Sequence, residues 1–190
     1  MEYPGGGEIV SDIHVRHILR YVEACDFLAG AKGLVLDAAC GTGYGSKILA
    51  KNFEVLGIDD DPQAIEEAWK VKTSNCSFIF MQADLLHANF SVDNIVSIET
   101  IEHFDMNDGR KVLGNFHSWL PVGGILILST PYCDHSGPSP ITKQHLWEYS
   151  LTDLEITLNG CGFEIETMHL QRHEGQAGRL GYCMVRAIRQ

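Results

Sequence analysis

Two groups of residues in this 190-residue chain have the types and spacing to do chemistry. The first is the run "LVLDAACGTGYG" (34–45), in which Asp37 leads into Gly41, Gly43 and Gly45, with further acids downstream at Asp59 and Asp84. Glycines lack a Cβ and let a ligand come close to main-chain N–H groups. A tight turn with glycines for backbone reasons alone is the competing reading. The second group is "SIETIEHF" (97–104), where Glu99, Glu102 and His103 fall at i, i+3 and i+4 and would share one face of a helical turn. Two carboxylates and an imidazole together admit three readings. They suit a Mg²⁺ or Mn²⁺ ion, or a general base, His103, oriented by a carboxylate. The third is a helix start whose acids favour the dipole.

The elements that must position these residues follow from the pattern of the chain. Residues 11–29 carry Ile13, Ile18, Leu19, Val22 and Phe27 at helical spacing, with Ser11 or Asp12 as N-cap. Strand and helix then alternate: "GLVLDA" and "YGSKILAKN", then "FEVLGID" and "DPQAIEEAWKVK", the latter with Asp61 as cap and Pro62 at the first helical position. "SFIFMQAD" and "DNIVSIE" read as strands three and four, "NDGRKVLGNFHSWLP" as a helix stopped by Pro121, and "GGILILSTP" as strand five. A helix over "SLTDLEITLNGCGF", capped by Ser150 or Thr152, precedes "FEIETMHLQR" and "GYCMVRAIR", two strands joined by the polar loop "HEGQAGRL". Strands joined by a loop alone pair antiparallel. The expected fold is therefore α/β and Rossmann-like: a seven-stranded, mostly parallel sheet with an antiparallel C-terminal hairpin and helices on both faces.

This arrangement puts Asp37, Asp59 and Asp84 at the ends of three successive strands, where open α/β sheets bind ligands. Asp59 suits the two hydroxyls of a ribose, and Asp84 an adenine amino group. A carboxylate at position 37 would repel a pyrophosphate but suits a sulfonium and an ammonium. The glycines run GxGxG, not GxGxxG. S-adenosylmethionine fits this set better than NAD. His145, in "KQHLWEYS" after strand five, falls at the same sheet edge as His103.

"VLDAACGTGYG", "GIDDDPQAIEEA", "QADLL" and "LPVGGILILSTP", in that order over about residues 33–188, resemble the class I S-adenosylmethionine-dependent methyltransferases. The resemblance implies that Asp37, Ala39 (where the family usually has glycine) and the backbone of Gly41 and Gly43 hold the methionine end. It implies that Asp59, with Asp60 beside it, takes the ribose, and that Ala83, Asp84 and Leu85 hold the adenine. The E-x-x-E-H turn also resembles that of the ubiquinone-pathway O-methyltransferases and of the small-RNA 3′-terminal 2′-O-methyltransferases. The latter resemblance implies that Glu99, Glu102, His103 and His145 bind a divalent metal, Mg²⁺ or Mn²⁺; without a metal, His103 and His145 are the candidate catalytic bases. The expected activity is methylation of a small-molecule or sugar hydroxyl. The alternatives are metal-dependent RNA ribose 2′-O-methylation and a non-catalytic S-adenosylmethionine-binding module.

Composition bounds these readings. The chain is 45% apolar and 21% charged, as in soluble globular domains, and its net charge of −11 disfavours phosphate backbones as partners. No apolar run spans a bilayer, and "MEYPGGGEIV" has no signal-peptide pattern. The six cysteines are scattered without a CxxC pair, as expected of thiols in a cytoplasmic protein, and Cys40 reads as a small filler. Residues 1–30 are expected to form a helix capping the cofactor site, and 31–190 the methyltransferase domain. Arg16, Arg20 and Tyr21 lie on that helix, where either arginine suits the methionine carboxylate or a solvated face. Tyr132, Trp147 and Tyr149 are candidate pocket walls or core, and 133–140 a candidate lid.

Overall fold

A computed structural model describes residues 12–70, 77–172 and 181–190. The lead-in at 4–7, the Ser11 cap and the loop 173–180 lie outside the described residues. Five strands, Leu34–Ala38 (β1), Glu54–Asp59 (β2), Phe78–Gln82 (β3), Asn94–Ile98 (β4) and Ile125–Cys133 (β5), pair in parallel in the order β3-β2-β1-β4-β5. A short β6 (Tyr149–Ser150) pairs in parallel with the end of β5. The hairpin of β7 (Phe163–Arg172) and β8 (Gly181–Arg189) closes the sheet, with β8 antiparallel to β5. The sheet thus has eight strands, not seven. Two residues are too few for periodicity to reveal β6 in the sequence.

Side chains alternate across the strands and feed two cores. Leu36, Ile95 and Leu126 face α4 (Met106–Trp119) and α5 (Leu151–Gly160), packing with Val112, Leu113, Phe116, Leu154 and Leu158. Their neighbours Val35, Val96 and Ile127 pack on the other face with Tyr21 and Ala24 of α1 (Asp12–Phe27), Leu28, and Leu49 of α2 (Tyr44–Leu49). The helix starts are fixed by local chemistry. Asp61 accepts from Gln63 N at α3 (Pro62–Ala68), Asp105 from Asn107 N and Asp108 N at α4, and Ser150 Oγ from Asp153 N at α5. No described helix is long and apolar enough to cross a membrane.

The N-terminal helix sits otherwise than its apolar residues suggest. Ile18, Leu19 and Val22 are exposed, with Val15, and the buried face is Arg20, Tyr21 and Ala24. A buried acid decides the orientation: Tyr21 Oη donates to Asp37 at 3.0 Å, and Ser46 Oγ of α2 donates to the other carboxylate oxygen at 2.5 Å. The Tyr21 ring lies flat against the α2 backbone, where a Cβ on Gly45 would fall 2.1 Å from its Cζ. Gly43 likewise makes room for Phe80, at 2.6 Å from its own would-be Cβ.

Gly45→Ala is therefore expected to cost about 2–3 kcal/mol, because overpacking against a rigid ring has no cheap relief. Tyr21→Phe, which keeps the ring and loses the hydroxyl, should cost about 1–2 kcal/mol. Urea unfolding of both variants checks this. A Gly45→Ala protein as stable as the parent would show that Tyr21 does not pack there.

Candidate active site

The strand order reverses between β1 and β4, and the carboxyl ends of these strands border a cavity of about 450 Å³. Ala39, Asp59, Asp60, Ala83, Asp84 and Leu85 line one part of it. Leu86, Glu99, Thr100, His103 and Phe104 line the rest. Six of the nine residues expected to hold a cofactor are thus gathered with part of the E-x-x-E-H turn. Asp37, Gly41 and Gly43 are not among the lining residues.

Each of the three acids has local work. Asp37 has no exposed surface, and both its oxygens are taken by Tyr21 and Ser46. Desolvation pushes its pKa up to about 6 against the opposing pull of the two hydroxyls. Asp59 accepts from Gly41 N at 2.8 Å and from Asp61 N at 3.1 Å, which pins the glycine turn to the end of β2. Burial raises its pKa, and the two N–H groups oppose the shift. Asp84 accepts from Leu86 N at 2.8 Å and pairs with His87 Nδ1 at 2.7 Å. These contacts lower its pKa, the Leu86 N–H having the larger effect. A carboxylate offers about four acceptor positions, so Asp59 and Asp84 retain capacity for a ligand. Gly41 has a left-handed φ of 53°, with open space where a Cβ would project. Ala39 adopts φ 63° despite its Cβ.

The E-x-x-E-H turn is not α-helical. Glu99 leaves β4 at φ 52°, Thr100 follows, and Ile101–His103 form one 3₁₀ turn. Glu99 is thereby turned from the other two: Ser129 Oγ donates to it at 3.0 Å, and Arg20 Nη2 of α1 lies 3.6 Å from its other oxygen. Arg20 is buried, with its guanidinium over the Tyr182 ring. Arg16, by contrast, is exposed. Glu102 is fully buried; Thr130 Oγ1 donates to Oε2 at 3.1 Å, and Oε1 meets no donor among the described residues. Desolvation, with the Glu99 charge adding to it, drives the Glu102 pKa well above the usual carboxylate range.

β4 ends at Ile98 while β5 runs on to Cys133, and β6 takes the vacated edge. The chain entering β6 consequently runs beside the turn after β4, with Trp147 N donating to Glu102 O at 3.2 Å. This brings the two histidines together, ring centroids 5.0 Å apart. His103 Nδ1 faces the Gln144 carbonyl at 3.0 Å and therefore carries the proton, leaving the Nε2 lone pair outward. Partial desolvation lowers the His103 pKa. His145 Nδ1 lies 2.9 Å from Oε1 of buried Glu148. One ligand atom each from Glu102, His103 and His145 fall within 4.8 Å of one another. Glu148 went unnoticed in the sequence, although its i+3 spacing from His145 in "HLWE" was the available signal. Tyr132 and Tyr149 are buried in the core, and Trp147 packs against it. The 133–140 loop borders a separate cavity with Glu148.

Comparison with known proteins agrees with this architecture. The family described as a methyltransferase domain matches residues 35–124. A Mycolicibacterium smegmatis protein named as a probable S-adenosylmethionine-dependent methyltransferase is 28% identical over 163 residues, 80% of this chain and 59% of its own length. A glycine/sarcosine/dimethylglycine N-methyltransferase of Actinopolyspora halophila is 25% identical over 63% of this chain and 23% of its own. The chain thus spans less than two thirds of these curated relatives. Among solved structures, magnesium protoporphyrin IX methyltransferase of Synechocystis PCC 6803 with bound SAH superposes with a TM-score of 0.78 at 20% identity, covering 98% of this chain and 90% of that one. That likeness shows the fold.

The buried Asp37 has a measurable signature. Its folded pKa, about 6, lies above its unfolded value of about 3.9, so the folded state binds the proton more tightly. Its contribution is most favourable below about pH 4 and is lost as pH rises through 6. Asp37→Asn removes this dependence. The stability of Asp37→Asn relative to the parent should therefore rise by about 2–3 kcal/mol from pH 4 to pH 8. Urea unfolding of both proteins across that range measures the difference, and a flat difference would mean that Asp37 titrates as an ordinary carboxyl.

Proposed function

We propose that this chain, which matches a methyltransferase-domain family over residues 35–124 and resembles a probable S-adenosylmethionine-dependent methyltransferase, is a class I enzyme that methylates a hydroxyl of a small molecule, such as a sugar or an aromatic metabolite. The observation that carries the choice of oxygen is His103, which lines the same cavity as Asp59 and Asp84 and has His145 and Glu102 close behind it. Amines attack a sulfonium methyl as neutral nucleophiles, whereas a hydroxyl must first lose its proton. An imidazole lining the cavity supplies the base that the second case requires and that a neutral amine does not.

In this reading Asp59 accepts the ribose hydroxyls with Asp60 beside it, Ala83, Asp84 and Leu85 hold the adenine, and Ala39 with the Gly41–Gly43 backbone faces the methionine end. Asp37 acts through position, holding α1 and α2 against β1 and not meeting the ligand. His103, its lowered pKa keeping Nε2 unprotonated at neutral pH, accepts the hydroxyl proton. The oxygen forms its bond to the methyl carbon as the carbon–sulfur bond breaks, and S-adenosylhomocysteine leaves as a neutral thioether. In-line placement of acceptor and methyl supplies much of the rate, and the base about 10²–10⁴-fold. Glu102, His103 and His145 lie close enough to suggest a divalent ion as the alternative to a histidine base; His103 Nε2 would then hold the ion instead of taking the proton, and the ion would lower the pKa of the hydroxyl. The net charge of −11 favours a small acceptor over nucleic acid, and a cytoplasmic setting accords with the free thiols of the described cysteines.

Titration calorimetry and release of S-adenosylhomocysteine with panels of hydroxyl and amine acceptors test the reading. Asp59→Ala should weaken S-adenosylmethionine binding at least tenfold. His103→Ala should leave that affinity intact and lower kcat on a hydroxyl acceptor by about 10²–10⁴-fold. Turnover of amines alone, or a His103→Ala enzyme with full kcat, would overturn the assignment.

A further inference from the structure

We propose that β3 is the contact surface of a symmetric dimer: the outer edges of β3 in two copies of this chain pair antiparallel about a two-fold axis at Phe80 and join the two sheets into one. The inference goes beyond the functional reading above and does not depend on it.

The sheet ends in two edge strands, β3 and β7, and they are built differently. An open edge is a row of unpaired N–H and C=O groups, which proteins guard with charges, bulges or a covering element. β7 is guarded. It carries Glu164, Glu166, His169 and Arg172 at exposed positions, and a bulge interrupts its register between Ile165 and Thr167. β3 is not. Its residues Phe78–Gln82 (FIFMQ) include no charge and no proline, and its pairing with β2 runs without a register shift. A short, uncharged segment of β-forming residues is the kind that joins another strand.

Both faces beside that edge are apolar as well. Ile79 and Met81 pair with Leu56 and Ile58, so they share the face that α4 and α5 cover further along the sheet. The connection 83–93 forms no helix to extend that cover, and Ile79 is left 62% exposed and Met81 42%. On the other face the Trp69 ring, just after α3, stands edge-on to Phe80 with centroids 5.7 Å apart, and Trp69 is 54% exposed. Single exposed apolar residues are ordinary, but three large ones flanking an open backbone edge on both sides form a slot for a strand.

A second copy fits that slot for three reasons. The first is register. A two-fold axis normal to the sheet at Phe80 pairs all five residues of β3, with Phe78 opposite Gln82 and Ile79 opposite Met81 of the second copy. Each face then stays continuous: Ile79 and Met81 of both copies meet on one side, and the two Trp69–Phe80 pairs flank the axis on the other. The second is charge. The carboxyl end of β3 is acidic, with Gln82 Nε2 bonded to Asp60 O and Asp84 two residues further on. Antiparallel pairing sets that end against the uncharged Ser77 and Phe78 of the other copy, whereas parallel pairing would stack the two acidic ends. The third is closure. Each copy offers one unguarded edge, so pairing stops at two chains and does not grow into a fibre. The contact is smaller than the roughly 20–30 residues a side of a standard interface, so the dimer is weak and reversible.

Sedimentation equilibrium of the full chain from about 1 to 200 µM should show a reversible monomer–dimer equilibrium. Raising NaCl from about 50 to 500 mM should tighten it, because each copy carries a net charge of −11 and salt screens their repulsion. Ile79→Lys combined with Met81→Lys sets like charges opposite one another and should weaken association at least tenfold, with far-UV circular dichroism and the urea midpoint reporting that the fold persists. Leu170→Lys, on the guarded edge, should leave the dimer unchanged. Hydrogen exchange of the parent should be slower at β3 amides at the high concentration than at the low one, and equal at β7; this locates the contact even where the lysine variant fails to fold. Four results would overturn the proposal: a monomer at every concentration, a dimer indifferent to the paired lysines in a folded variant, dissociation by salt, or concentration-dependent protection at β7 in place of β3. The first of these would leave the edge to a strand of a different protein.

Discussion

A carboxylate without exposed surface holds together the end of this protein that borders the cavity. Asp37 ends neither in solvent nor in the cavity; it is clamped between a tyrosine from α1 and a serine from α2. Burying a charge costs several kcal/mol unless hydrogen bonds replace its water, and here two hydroxyl donors do so. The requirement propagates outward. Tyr21 must lie on the α2 backbone to reach Asp37, so position 45 must be glycine. With Tyr21 inward, α1 turns Arg20 inward as well, where it meets Glu99. That contact, with the Ser129 hydroxyl, engages both oxygens of Glu99.

The acids at the next two strand ends follow the same logic at lower cost. Asp59 collects the N–H groups of Gly41 and Asp61, and Asp84 those of its own turn and His87. These bonds shape the loops before any ligand arrives, so the cavity is bordered by acceptors already fixed in direction. Preorganisation of this kind spares a ligand the ordering of loops on binding. The other end of the cavity depends on strand length. Because β5 outruns β4, the edge beyond Ile98 is left to β6, and the segment that enters β6 carries His145 and Glu148 past His103.

The alternation of strands and helices was legible because buried parallel strands and capped helices leave local marks, such as Asp61-Pro62 and the Val/Ile/Leu run of β5. Six of the nine positions expected to hold a cofactor border one cavity for the same reason: they follow directly from strand ends. What the sequence concealed was long-range. Ile18, Leu19 and Val22 suggested the buried face of α1, but the partner that sets its rotation, Asp37, lies a whole element away. Glu99, Glu102 and His103 suggested one helical face, but a left-handed residue at 99 redirects the first of them. Helical spacing has no means of announcing a positive φ at a glutamate. Glu148 carried a weak signal that gained meaning only when β6 placed His145 beside His103.

Two non-glycine residues in the described chain adopt left-handed φ, Ala39 at 63° and Glu99 at 52°. An L-residue held there costs about 1–2 kcal/mol, and strain of this kind persists only where surrounding structure enforces it. Both follow strand ends, Ala39 after β1 and Glu99 after β4, and these are the adjacent strands between which the sheet reverses its winding. Both also line the cavity. The strain therefore falls where two neighbouring strands must part for a crevice to open. Glu99 N remains bonded to Ser129 O, and Cys40 N, one residue beyond Ala39, to Ile58 O, so each chain is anchored to its outer neighbour as it turns away. Those anchors hold the crevice open from either side, and the left-handed turns are the cost of exposing two strand ends to a ligand without unravelling the sheet.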